Sequence, residues 1–159
     1  VRLEIEHAKA ILESEDPWRT LKDFDYFPNY LQLARTEYEG SVLKGGDCVI
    51  FLGSGPLPLS LIVLCDQYGL RGIGIEEEPN RAELSRSVLE KLGLSDQIEI
   101  IDENHFRLPL GVSFELIIVA AQAEPKKEIF DHLVKFEAYK RSRPEPPVNN
   151  TVVFLNVIG

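Results

Sequence analysis

From Cys48 onward, short apolar runs alternate with stretches of helical periodicity. No other feature of the chain constrains its fold as strongly. The runs are CVIFLG (48–53), RGIGIE (71–76), QIEIID (97–102), FELIIVAA (114–121) and NTVVFLNVI (150–158). Between them lie LPLSLIVLCDQYG, ending at Gly69, PNRAELSRSVLEKLG, with Pro79 near its start and Gly93 at its end, and EPKKEIFDHLVK. Proline early and glycine late are helix punctuation. Strands alternating with helices predict an α/β fold: a Rossmann-like, doubly wound parallel sheet. With 159 residues and 44% hydrophobic content, the chain can bury one sizeable core.

The first 40 residues read differently. Leu3, His7, Ala8, Ile11 and Leu12 recur at helical spacing. In SEDPWRTLKDF, Ser14 or Asp16 can cap and Pro17 suits a first turn. A further helix is expected from about Pro28 to Gly40. The expected organisation is therefore a helical segment, 1–40, ahead of a ligand-binding sheet domain, 41–159.

Ligands of open α/β sheets sit beyond the carboxyl ends of the strands. The first strand there runs into FLGSGPLPLS, with Gly53-Ser54-Gly55 forming a turn that lets a ligand approach the backbone. Glu76 ends the next strand, where a carboxylate can take ribose hydroxyls. Together these point to an adenosine-containing ligand. A dinucleotide is disfavoured: Pro58 stands where its turn wants a third glycine, and Pro56 and Pro58 remove two N–H donors. S-adenosylmethionine has no phosphate and suits the proline-stiffened turn better. Asp102, Glu103 and Asn104, after the third strand, are candidates to contact adenine, or an ordinary polar turn.

Charge and composition remove other classes. A net charge of −9 argues against a nucleic-acid partner. No apolar run approaches the roughly 20 residues of a membrane span. Cys48 and Cys65 sit in apolar segments, as reduced thiols of a cytoplasmic protein would. His7, His105 and His132 lack metal-ligand spacing, so no metal is expected. The chain contains no methionine, and only one helical pattern and a Pro-rich stretch separate the fourth strand from the last. Both features suggest a piece of a longer protein, with a gap flanked by residues 135–138.

GSGPLPLS, IEEEPNRAELS, VAAQAEPKKEIF and VNNTVVF together resemble the nicotianamine synthase family, particularly its archaeal members. DPWRTLKDFDYFPNYLQL resembles the segment leading into that family's catalytic domain. Bacterial opine-metallophore enzymes that transfer the same group are similar but match GPLPL less well. The family has a longer N-terminal helical region, and a strand and loop between the counterparts of Val134 and Phe136.

The resemblance implies transfer of the 3-amino-3-carboxypropyl (aminobutyrate) group of S-adenosylmethionine to an amine, releasing methylthioadenosine. The product would be nicotianamine or a related metal chelator. An acceptor ammonium, with a pKa of about 8–10, must lose a proton before it attacks. By resemblance, Glu4 and Tyr30 hold and deprotonate that amine. Glu6, one step round the helix, is the fallback for Glu4, and Tyr26 is expected to line the entrance. The donor site implied takes in Gly53, Ser54, Gly55, Pro56, Leu57, Glu76, Asp102 and Asn104, with Ala120 and Ala121 of the VAAQAEPK motif. The partners implied are small molecules, S-adenosylmethionine with glutamate or an aminobutyrate oligomer, and a second copy of the chain in a homodimer. The alternatives are an ordinary methyltransferase and a non-catalytic module that binds an adenosine ligand. An NAD-dependent reductase is more distant.

Overall fold

The computed structural model describes residues 2–104, 114–119 and 151–154. Three helices lead: α1 (Arg2–Glu13), α2 (Pro17–Lys22) and α3 (Phe27–Glu39). The sheet and its helices follow as β1 (Cys48–Leu52), α4 (Leu59–Tyr68), β2 (Arg71–Glu76), α5 (Pro79–Lys91), β3 (Ile98–Asp102), β4 (Leu116–Val119) and β5 (Thr151–Phe154). All strand pairs are parallel, in the order β3-β2-β1-β4-β5. That is the strand order of the first five strands of a doubly wound sheet, with the chain reversing direction across the sheet beside β1.

The caps follow local chemistry. Asp16 accepts a hydrogen bond from the Arg19 N–H with Pro17 in the first turn of α2. At the start of α5, Glu78 accepts from the N–H groups of Asn80 and Arg81. Helix α4 begins at Leu59, two residues later than the apolar pattern implied. Pro58 disfavours helical backbone at Leu57, and Pro58 itself stands at the N-cap position with φ −81° and ψ 62°. The last strand lies directly beside β4, so it takes the fifth place in the sheet. The connection expected to flank a gap lies outside the described residues.

The core lies between the sheet and the helices packed on it, α4 and α5 among them. Leu61, Ile62, Leu64 and Cys65 are all buried, as are Ile50, Leu52 and Ile75 of the central strands. Each such aliphatic side chain contributes roughly 1.5–3 kcal/mol on burial. The leading helices attach by different means. Helix α3 packs on α4, where the Tyr38 and Tyr68 rings stack at 4.0 Å. Helix α1 packs on α2 and α5. Trp18 of α2 donates from Nε1 to the carbonyl of Leu92, the C-cap of α5, at 3.0 Å.

Candidate active site

The site starts where β1 ends. Gly53 and Gly55 have φ of 78° and 73°, backbone that L side chains rarely adopt. The N–H groups of Gly53 and Ser54 both donate to the carbonyl of Ile75, at 2.8 and 3.2 Å. The turn is thereby tied across the end of β2. Gly74 makes that crossing possible: a Cβ there would stand 2.8 Å from Ser54 Oγ and 2.7 Å from Ile100 Cδ1. Pro56 and Leu57 are buried behind the turn.

Helix α1 brings Glu4 over this turn. A Cβ on Gly55 would lie 3.6 Å from Glu4 Oε2. That oxygen is buried and has no hydrogen-bond partner. Burial pushes the Glu4 carboxyl above the usual range, partly offset by the positive charge of Arg81 among others. Tyr30, from the first turn of α3, faces the same recess. Burial, then the nearby Glu4 carboxylate, push its phenol up to about 12. Glu4 and Tyr30 form one wall of a small recess; Gly53, Ser54, Leu57 and Pro58 contribute to the other.

The remaining donor-site candidates lie along the same carboxyl edge of the sheet. Glu76 ends β2 with 5% exposure, and burial raises its carboxyl, partly offset by the charge of Arg81. Asp102 pairs with it in register on β3 and is exposed, as is Asn104. Thus Glu4, Tyr30, Gly53, Ser54, Gly55 and Leu57 come together, with Pro56 inside the turn. Glu76, Asp102 and Asn104 are strung along the neighbouring strand ends and do not line the recess. Ala120 and Ala121 lie outside the described residues.

Glu6 does not join them. Its carboxylate is largely solvated and pairs with Arg2 at 3.5 Å, because one step along α1 from Ile5 turns the side chain outward. The two thiols are free, and burial pushes Cys48 up to about 11 and Cys65 up to about 12, which leaves neither as a thiolate nucleophile at neutral pH. Among the described residues, no three His, Cys, Asp or Glu side chains group as metal ligands, and no helix is long and apolar enough to cross a membrane.

Two features were not anticipated from the sequence. His7 Nδ1 hydrogen-bonds the Tyr26 hydroxyl next to the site. Glu37 of α3 is 8% exposed, with neither carboxyl oxygen partnered. The first had a faint signal, since Glu4 and His7 are three apart on α1 and Tyr26 and Tyr30 are four apart on α3. The second had none.

A carboxylate oxygen that is buried and unpartnered beside the turn suits a cationic group. A family model described as nicotianamine synthase protein matches residues 1–138. Nicotianamine synthase 3 of Oryza sativa subsp. indica is 31% identical over 150 residues, covering 86% of this chain and 43% of that protein. An L-histidine 2-aminobutanoyltransferase of Yersinia pestis is 27% identical over 115 residues, covering 72% and 43%. The crystal structure of MtNAS in complex with MTA and tNA superposes with a TM-score of 0.80 at 39% identity, over 85% of this chain and 50% of that one. A mutant of MtNAS in complex with S-adenosylmethionine gives 0.79 at 38% identity, over 85% and 52%. The chain spans about half the length of these relatives. Matched along most of its length and built on the same sheet, the chain belongs to the nicotianamine synthase family.

Proposed function

We propose that this chain carries the donor site and the base of an aminocarboxypropyl transferase. The reaction moves the 3-amino-3-carboxypropyl group of S-adenosylmethionine to an amine, releases methylthioadenosine and builds nicotianamine or a related chelator. The observation that carries the reading is Oε2 of the half-buried Glu4 carboxylate, itself buried and unpartnered over the Gly53–Gly55 turn. A neutral adenosine ligand gives such a carboxylate nothing to do; an ammonium about to become a nucleophile does.

The roles follow from the electrostatics. Glu4, with its carboxyl raised by burial, is better matched to take a proton from an ammonium than a solvated glutamate. Tyr30, at about 12, keeps its proton at neutral pH, so it orients the amine and does not deprotonate it. As the new C–N bond forms, the C–S bond breaks and its electron pair neutralises the sulfonium. The proton lost by nitrogen goes to Glu4. The Gly53–Leu57 turn fixes the donor, Glu76 takes the ribose hydroxyls, and Asp102 and Asn104 face the adenine. Much of the rate comes from aligning nitrogen, carbon and sulfur.

The test is incubation of the full-length protein with S-adenosylmethionine alone and with glutamate, followed by mass spectrometry. Methylthioadenosine and products growing in aminobutyrate steps are expected. Adenosylhomocysteine would make it a methyltransferase, and binding without turnover a non-catalytic module.

A further inference from the structure

Glu4 and Tyr30 reach the recess from helices that are anchored to different parts of the molecule. Helix α1 packs chiefly on α2 and α5, and α3 chiefly on α4. Backbone packing therefore does not by itself fix one relative to the other. Side chains do. One turn beyond Glu4, His7 stacks on Phe24 at 3.9 Å and 14°, and its Nδ1 hydrogen-bonds the Tyr26 hydroxyl. Tyr26 in turn sets its ring edge-on to Tyr30, at 5.8 Å and 62°.

Tyr26 is well placed to control α3. It is the N-cap residue, yet its side chain makes no cap hydrogen bond. Its carbonyl accepts from the N–H groups of Asn29 and Tyr30, at 3.0 and 3.4 Å. A force on the Tyr26 ring is thus passed through the first turn of α3 to Tyr30. The phenol that is not used to cap the helix is used to reach α1.

We infer that His7 and Tyr26 are positioning residues: their hydrogen bond sets the separation of Glu4 from Tyr30, and so the geometry in which the acceptor amine is held. This rests on the function proposed above. Neither residue touches the reacting atoms. The energetic lever is distance, since a misplacement of about 1 Å in a positioned reaction can cost about 100-fold in rate.

The experiment measures methylthioadenosine release by the full-length protein from S-adenosylmethionine and glutamate, with methylthioadenosine affinity as the control for folding and donor-site integrity. Tyr26→Phe removes one oxygen and keeps the ring. His7→Phe keeps the stack on Phe24 and removes the ring nitrogen. Each is expected to lower kcat roughly 10- to 100-fold with methylthioadenosine affinity unchanged. The double variant should be no worse than either single one, because both break the same bond. His7→Asn, whose amide can stand near the lost Nδ1, should recover much of the loss. A single variant within about twofold of the parent in kcat, additive losses in the double, or affinity falling in step with kcat would each overturn the inference. Glu4→Gln separates the two levels. If it is inactive while the His7 and Tyr26 variants are fully active, only the positioning role falls. If it turns over normally, or the parent makes no methylthioadenosine, the functional reading falls and this inference with it.

Discussion

The two walls of the recess are held in opposite ways. On the donor side, the turn after β1 is fixed by backbone: two N–H groups on one carbonyl, two glycines at positive φ, and a neighbouring strand that gives way at Gly74. On the helical side, Glu4 and Tyr30 are placed by side chains that meet across 19 residues of sequence, through His7 and Tyr26. Backbone ties make a wall that is insensitive to substitution except at its glycines. Side-chain ties make one whose geometry is adjustable, which would suit the side proposed to hold the acceptor.

Variants that break one wall and spare the other sharpen this contrast. The largest effect is expected from Glu4→Gln, which removes the proposed base and leaves the turn intact. Turnover should fall by about 10²–10⁴-fold while S-adenosylmethionine binding, followed by calorimetry, is retained. Loss of binding in proportion would place Glu4 with the donor instead. Gly74→Val attacks the other wall. Its side chain meets Ser54 and Ile100 at below 3 Å, so stability in urea titration should drop by about 3 kcal/mol, with the donor bound more weakly. Unchanged donor affinity would show that the crossing over β2 does not shape the turn.

Glu37 compares a second carboxylate with Glu4. Burial pushes it up to about 7, well above 4.5, so the folded state holds a proton that the unfolded chain has released. Folding is then most favoured below about pH 4.5 as far as this group is concerned, and that contribution is lost as pH rises through 7. Glu37→Gln should stabilise the protein by up to about 3 kcal/mol at pH 8 and scarcely at all near pH 4.5. Equal effects at both values would mean that the Glu37 carboxyl titrates alike in the folded and unfolded chain. The smallest effect is expected from Glu78→Ala, which unties two N–H groups at the start of α5. It should cost about 1 kcal/mol in thermal unfolding and leave turnover unaltered. A change in turnover would extend the site along the strand ends beyond Glu76.

The same contrast explains what was legible in the sequence. Strand and helix patterns from Cys48 onward are local, and the parallel sheet follows from their alternation. The turn was legible because glycine and proline act on the backbone where they stand. It was legible only as to shape: that the Gly53 and Ser54 N–H groups would be used internally depends on a carbonyl 21 or more residues away. Glu4 and Tyr30 were named by resemblance, since nothing local distinguishes a glutamate on an amphipathic helix from a solvated one. Glu6 shows the difficulty: it shares the helix and the chemistry, and lies in solvent. The His7–Tyr26 bond was only faintly legible and the buried Glu37 carboxylate not at all, because each depends on how separate helices come to face one another.

The tie between the turn and Ile75 has a thermodynamic consequence. Ordering a residue's backbone costs about 1–2 kcal/mol, and a loop that stays loose until its ligand arrives deducts that cost from affinity. Here the ordering is completed when β2 joins the sheet, so the cost is charged to folding. The contact energy of an arriving ligand is then free to be spent elsewhere, on holding a flexible side arm in a reactive conformation.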